Sequence, residues 1–267
     1  MIAIAEEKCT GCGLCVRDCP VGVLLFKADD SHPQAAHPEH CLRCQHCLAI
    51  CPAGAVTVAG VSPEQAPALG PLPEPERLTN LLRQRRSIRH FADREIAPEL
   101  LRKLMENLPY SPTGCNDHRL MFFWADRQKM IELRDFTNAA LKKLSKIPWR
   151  WLIPRRYRRF LAAVTPESDL VFRNAPHLLL VAVPKKAPCA ADDPVIALAQ
   201  FELLCQSYGI GCCWCGFGVR AFAHIKALKK MLALPTGYRI GGVMLFGYPQ
   251  MNYARATVPE PVKISRL

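Results

Sequence analysis

Apolar residues recur at three- and four-residue spacing in 77–84 (RLTNLLRQ) and in the leucines of 98–108 (PELLRKLMENL), which carries a proline near its first turn. Both segments read as amphipathic helices, because that spacing lines one helical face and the first helical position tolerates proline. Shorter unbroken apolar stretches at 120–125 (LMFFWA), 178–183 (LLLVAV) and 242–246 (GVMLF) read as buried strands. Residues 194–208 predict a long helix ended by Gly209, a residue that accepts the left-handed conformation of a C-terminal cap, and 226–232 predict a further helix. Helices and strands mix without regular βαβ alternation, so the pattern predicts an α+β sandwich rather than a doubly wound sheet. Between Val61 and Glu76 the chain carries five prolines (SPEQAPALGPLPEPE), which suit an extended connection. The predicted organisation is a small domain over 1–60, a linker over 61–76 and a second domain over 77–267.

The small domain holds the strongest chemical signal. CTGCGLCVRDCP begins at Cys9 and CLRCQHCLAICP at Cys41, so Cys9, Cys12, Cys15, Cys19 and Cys41, Cys44, Cys47, Cys51 repeat one spacing. Three cysteines on a tight loop can hold three corners of a [4Fe–4S] cube, and a fourth, set before a proline, points toward a second cube. Zinc sites use well-separated cysteine pairs, and so short a ring of cysteines cannot be bridged among its own members. A domain of this size depends on its metal centres for much of its stability.

Composition narrows the remainder. Hydrophobic residues make up 50% of the chain and charged residues 22%, enough for a real core in the second domain. The formal net charge of +12 invites a nucleic-acid reading. Two clusters would offset roughly 4 of it, a cofactor phosphate would offset more, and no nucleic-acid motif is present. The longest apolar runs fall far short of the roughly 18 residues that span a bilayer, and MIAIAEEKC lacks a basic segment followed by an apolar one. Fourteen cysteines without a secretion signal point to a reducing cytoplasm.

In the second domain, Arg85-Arg86-Ser87-Ile88-Arg89-His90-Phe91 suits a phosphate and the electron-rich edge of a heterocycle. It is followed by Ser111-Pro112-Thr113-Gly114-Cys115-Asn116, by Gly209 to Phe217 (GIGCCWCGF) and by Phe246-Gly247-Tyr248-Pro249. In this order the set resembles the nitroreductase family of FMN oxidoreductases, in the subgroup with an N-terminal bacterial-type ferredoxin, and the resemblance covers essentially the whole chain. It implies a dimeric FMN-dependent nitroreductase-like α+β sandwich preceded by a ferredoxin-like 2[4Fe–4S] domain. In the ferredoxin pattern the fourth cysteine of each run serves the other cluster, giving one set of Cys9, Cys12, Cys15 and Cys51 and another of Cys41, Cys44, Cys47 and Cys19.

By the same resemblance Arg85, Arg86, Ser87 and Arg89 hold the FMN phosphate, ribityl chain and N1/O2 edge. Pro112, Thr113, Gly114 and Asn116 approach the ring from the partner subunit. Cys215 and Gly216 bring backbone N–H groups to flavin N5 and O4, and Arg255 is a C-terminal phosphate ligand. Related chains carry a second basic residue where this one has Glu260, and glutamine-proline where it has His118-Arg119. A cation near N1/O2 would stabilise the reduced, anionic flavin. The implied activity passes electrons between clusters and FMN and reduces a nitroaromatic, quinone or other conjugated acceptor. NAD(P)H or a ferredoxin-like carrier would be the donor, and the competing functions are a non-enzymatic electron-transfer or redox-sensing module that relays electrons to a protein partner and an NAD(P)H-driven nitroreductase with accessory clusters. His118, Tyr110 and Tyr253 are candidate proton donors.

Other features carry less. Gly216 to Ala221 satisfies a GxGxxA dinucleotide pattern without the βαβ context that gives it meaning. Cys212, Cys213 and Cys215 read as small residues of a flavin wall rather than a third metal site, and Cys205 as core. The basic, tryptophan-bearing stretch 148–160 is expected to serve as a lid over the active site or as a docking surface for an acidic carrier, ahead of contact with a membrane.

Overall fold

The computed structural model of the chain describes residues 2–28, 30–146, 154–163, 165 and 168–266. Its internal contacts group Met1–Leu72 with Cys115–Asp117, and Pro73–Gly114 with His118–Leu267.

The first unit is a duplicated loop framework. Strand β1 (Ile2–Ile4) pairs antiparallel with β4 (Val56–Val58), and β2 (Leu24–Leu25) with β3 (Gln34–Ala35). Short helices α1 (Leu14–Asp18) and α2 (His46–Ala49) follow the two cysteine loops. The backbone repeats with the sequence: Gly11 and Gly13 have φ of 68° and 69°, and Arg43 and Gln45, the equivalents 32 positions on, have φ of 55° and 60°. A Cβ on Gly11 would come within 2.7 Å of Ser31 O, so only the first loop requires glycine there. The core is small: Ile2, Val23, Leu24, Leu48, Val56 and Val58 pack around Cys15 and Cys47.

The second unit is built on a four-stranded antiparallel sheet of order β5-β6-β8-β7, formed by Met121–Ala125, His177–Pro184, Tyr238–Gly247 and Gly211–Trp214. Every residue of β6 is buried, which explains its unbroken apolar sequence. Period-two alternation then divides the sheet between two layers. Leu179, Val181, Met244, Phe246 and Cys212 face α4 (Pro98–Glu106) and α7 (Asp193–Ser207), while Leu178, Leu180, Val243, Leu245 and Cys213 face α5 (Arg127–Ser145), α8 (Gly216–His224) and α9 (Lys226–Leu232). Helix α7 lies close because a Cβ on Gly242 would come within 2.5 Å of Leu198 Cδ1, and a register shift opposite Val181/Ala182 accommodates Gly241. Helix α3 (Pro75–Gln84) opens the unit and α6 (Arg155–Ala162) follows α5.

The α+β sandwich expectation holds. The predicted helix at 77–84 begins at Pro75, where the absent N–H costs nothing, so two residues of the predicted linker are helical. The helix predicted to Leu108 ends at Glu106, before a 3-10 turn at Leu108–Tyr110. Helices α5, α6 and α8 and strand β7 have no counterpart in the sequence reading. Of the basic stretch, residues 148–153 lie outside the described residues. Among the described residues no helix is long and apolar enough to cross a membrane.

His177, 2% exposed at the start of β6, stacks on Phe246. Its Nε2 accepts from Ile96 N–H (3.2 Å) and its Nδ1 faces Ala125 O (3.3 Å), which fixes a neutral ring with the proton on Nδ1. Burial lowers its pKa. The folded value therefore lies below the unfolded one of about 6.5, so stability is intact above about pH 6.5 and falls as pH drops toward the folded value. Urea midpoints measured at descending pH should show this fall in the wild type and a shallower one in His177→Gln.

Candidate active site and metal centres

The two cysteine loops position their thiols by turn geometry and by backbone donors. Cys9, Cys12, Cys15 and Cys51 line a single small cavity with Ile4, Leu14, Pro33, Ala55 and Val56. Cys51 thus joins the first loop across 36 residues of chain from Cys15, the crossed pairing that a two-cluster arrangement requires. The N–H groups of Val23 and Ala55 donate to Cys19 Sγ and Cys51 Sγ at 3.3 Å each, and these two bonds are equivalents under the 32-residue repeat. Arg43 N–H donates to Cys41 Sγ at 3.3 Å. Such donors favour thiolates. Donation near Leu14 lowers the Cys12 thiol; burial opposes the effect at Cys19, where the Val23 and Val21 N–H groups still bring the thiol below its usual value. Burial pushes Cys15 up and Cys47 up to about 11, so coordination there must displace a proton. Among the described residues no three His, Cys, Asp or Glu side chains converge on a single ion. A cubane spreads its four thiolates around a multi-atom core, so the shared cavity of the first set fits a cluster.

In the second unit one cavity of about 390 Å³ is lined by Ser87, Arg89, Cys215 and Gly216 together with Val171, Arg173, Cys213, Trp214, Phe217, Arg220 and Leu245. The segment carrying Ser87 reaches it by bridging alongside β7, with Ile88 N–H donating to Cys212 O at 2.8 Å. Gly216 and Phe217 come from the first turn of α8, whose N-terminal end carries the positive end of the helix dipole. A Cβ on Gly216 would meet nothing within 4 Å, so this residue faces open space. Trp214 and Phe217 are 37% and 41% exposed, flat apolar surface in a lining that also holds three guanidiniums. This wall fits a planar aromatic group bearing an anionic phosphate.

The remaining candidates lie elsewhere. Arg85 Nη1 pairs with Glu202 Oε1 at 3.1 Å, and Trp214 Nε1 donates to Glu202 Oε2 at 3.0 Å, so Arg85 neutralises a buried carboxylate that also anchors the cavity's indole. Arg86 Nη1 donates to Thr257 Oγ1 at 2.9 Å and lies 5.7 Å from the Tyr253 ring centroid. Arg255 and Tyr253 are exposed in the C-terminal segment, and Tyr110 is 72% exposed. Thr113 Oγ1 accepts from His118 N–H and Asp193 Oδ1 from Gly114 N–H, both at 3.0 Å. A Cβ on Gly114 would come within 2.5 Å of Cys189 Sγ. Pro112 is exposed, and Asn116, grouped with the first unit, donates from Nδ2 to Leu42 O at 3.0 Å. Cys215 donates its backbone N–H to Val243 O at 2.8 Å, which commits that group to the sheet.

Cysteines 212 and 213 point to opposite faces of β7, Cys212 toward the buried Cys205 and Cys213 into the cavity wall. Cys215 donates from Sγ to Val171 O (3.2 Å) and accepts from Gly218 N–H (3.2 Å). Burial pushes its thiol up to about 11 and raises Cys213 as well, so both remain neutral thiols near pH 7. The GxGxxA match does follow a strand, but β7 and β8 are antiparallel neighbours and a Cβ on Gly218 would press on Cys215 Sγ and Val243. Its second glycine, Gly218, serves packing. Arg173 and Arg220 were not foreseen, since Arg173 belongs to no recognisable motif and Arg220 fills a variable position of the GxGxxA match.

The structure is similar to a nitroreductase with bound FMN from Bacteroides fragilis, with a TM-score of 0.58 and 21% identity over 71% of this chain and 98% of that one. A protein of Archaeoglobus fulgidus provisionally named NADH dehydrogenase/NAD(P)H nitroreductase is 27% identical over 176 residues, 66% of this chain and 87% of that protein. An uncharacterized ferredoxin of Methanocaldococcus jannaschii is 35% identical over 65 residues, 24% of this chain and 84% of that protein. The 4Fe-4S dicluster domain model matches residues 8–55, so the cysteine loops form a ferredoxin domain. Because the nitroreductase family model matches residues 82–248, more than half of its length, the chain belongs to the nitroreductase family of oxidoreductases, with a 4Fe–4S ferredoxin domain at its N-terminal end.

Proposed function

We propose that the protein is an FMN-dependent oxidoreductase that exchanges electrons between two [4Fe–4S] clusters and FMN and reduces an organic acceptor, a nitroaromatic, a quinone or a similar conjugated compound. The observation that carries this reading is the cavity that unites Ser87 and Arg89 with Cys215 and Gly216, the two groups the family resemblance assigns to one flavin. When bound, FMN supplies a centre able to take up and release electrons singly or in pairs. The chain supplies its setting. Arg89 and Arg173 offer fixed positive charge to a phosphate or a ring edge, and Phe217 and Trp214 exclude water from the faces they cover. The neutral Cys213 and Cys215 thiols add no competing nucleophile. Among the described residues the cavity lining contains no carboxyl, imidazole or phenol, so His118, Tyr110 and Tyr253 find no support as proton donors.

Pairing of two copies belongs to the same proposal. Pro112, Thr113, Gly114 and Asn116 are absent from this lining, as residues reserved for a partner's flavin would be. The C-terminal segment supports it too, with Val258, Val262 and Ile264 at 96%, 78% and 89% exposure and in need of apolar cover. A nicotinamide or a ferredoxin-like carrier would be the donor.

Anaerobic reduction with dithionite, followed by mixing with a nitroaromatic, tests the exchange. The flavin band is expected to recover and the cluster bands to follow as acceptor is consumed. Clusters that stay bleached through repeated turnover would reject electron exchange.

A further inference from the structure

We infer that α5, α6 and α9 form a basic docking face for an acidic one-electron carrier protein of the ferredoxin class. The choice of partner rests on the electron-exchange reading; the face itself does not.

Charge is unevenly spread along the chain. Residues 1–60 hold six acidic and four basic side chains, so the formal +12 of the whole leaves +14 on residues 61–267. No aspartate or glutamate occurs in 136–166 or in 203–259. The fold gathers cations from both acid-free stretches, because α6 and α9 each pack against α5. Lys142, Lys143 and Lys146 are exposed at the end of α5, and Arg155, Arg158 and Arg159 on α6. Lys226, Lys229 and Lys230 are exposed on α9. Each trio falls within little more than one helical turn, the spacing that sets like charges side by side.

Solvated helix faces elsewhere in this unit are built differently. Arg102 pairs with Glu106 on α4, and Lys129 with Glu132 in the first half of α5, so opposite charges alternate there. The nine cations meet no carboxylate among the described residues. The helix dipole accounts for part of this, since the lysines of α5 and α9 cluster at C-terminal ends. It fails on α6, where Arg155 is the first residue and meets the positive end instead. A face that repels itself within each turn gains most when an external anionic surface covers it.

The chemistry of the chain selects that surface. A partner in electron exchange must bring a redox centre close to the flavin cavity, and α8, which packs on α9, begins in that cavity wall with Gly216 and Phe217. A ferredoxin-class protein supplies the anion as well. In this chain's own ferredoxin domain acidic residues outnumber basic ones, and each oxidised four-thiolate cubane adds about −2. Membrane lipid and nucleic acid offer negative charge without the redox centre.

Calorimetric titration of oxidised plant-type [2Fe–2S] ferredoxin into the full-length protein, loaded with clusters and FMN, tests the face without requiring turnover. It is run at about 20 mM and about 200 mM salt, where screening lengths are about 20 Å and about 7 Å. Wild-type affinity should fall about tenfold or more between the two. At the lower salt Arg155→Glu/Arg158→Glu/Arg159→Glu on α6 and Lys226→Glu/Lys229→Glu/Lys230→Glu on α9 should each bind about tenfold more weakly than wild type. The control is Arg77→Glu/Arg83→Glu/Lys103→Glu, an equal charge change at exposed sites on α3 and α4, which pack with α7 on the other layer. It should lose about threefold at most. Melting temperatures are recorded, and if the α6 variant does not fold, the α9 variant decides. Wild type that fails to bind or binds independently of salt, face variants that bind as wild type does, or a control that weakens as much as they do would overturn the inference. Tighter wild-type binding to phosphatidylserine vesicles or to duplex DNA through the same residues would overturn it too, by assigning the face to that polyanion. FMN uptake is measured separately, so failure of the flavin reading would be visible in its own right and leave the titration readable.

Discussion

Replacing Cys51 by alanine is expected to remove one of two clusters, lowering iron from about eight to about four per chain. The expectation follows from where Cys51 sits: it lines one cavity with Cys9, Cys12 and Cys15, although its nearest cysteine in sequence is Cys47. Crossed ligation makes double variants diagnostic. Cys9→Ala with Cys51→Ala should lose no more iron than either alone, because both touch the same cluster. Cys19→Ala with Cys51→Ala should lose nearly all of it. If Cys47→Ala with Cys51→Ala retained half of the iron, the ligand sets would instead follow the sequence runs. The loss should also destabilise the first unit strongly, since its buried core consists of a handful of aliphatic residues around the cluster thiols. Iron content per folded protein is therefore the appropriate readout.

The cysteine framework was legible because ligand spacing along a tight loop is itself the chemistry. The central strands were legible for a related reason: β6 is buried on both faces, so its sequence could only be an apolar run. What escaped depends on distant partners. Arg85 reads locally as a phosphate ligand, and nothing near it announces Glu202, 117 residues away, which claims its guanidinium. Cys215 reads as a backbone donor to a flavin until Val243 O takes its N–H. Helix α8 begins Gly-Phe-Gly and lacks a strong start signal, and β7 is four residues long with its two cysteines on opposite faces. Arg173 reaches the cavity from a turn whose left-handed backbone is stabilised by Asp169, an arrangement that only tertiary structure brings together.

The second large effect concerns Gly216. Leucine there would meet no protein atom within 4 Å of its Cβ, and leucine is the better helix former, so the fold should keep its stability. The same side chain would fill space at the cavity wall, where Ser87, Arg89, Trp214 and Phe217 also converge. Overpacking costs typically 1–3 kcal/mol, so FMN affinity should fall by between about fivefold and about 150-fold, with a loss of about 100-fold expected for a rigid planar ligand.

Titration of FMN into flavin-free wild type and Gly216→Leu, followed by quenching of flavin fluorescence with melting temperatures measured alongside, tests the central claim most directly. The cavity reading predicts one FMN per wild-type chain and a loss of affinity of about 100-fold in a variant that melts at the wild-type temperature. Equal FMN affinity in the two proteins would contradict it and place the flavin elsewhere.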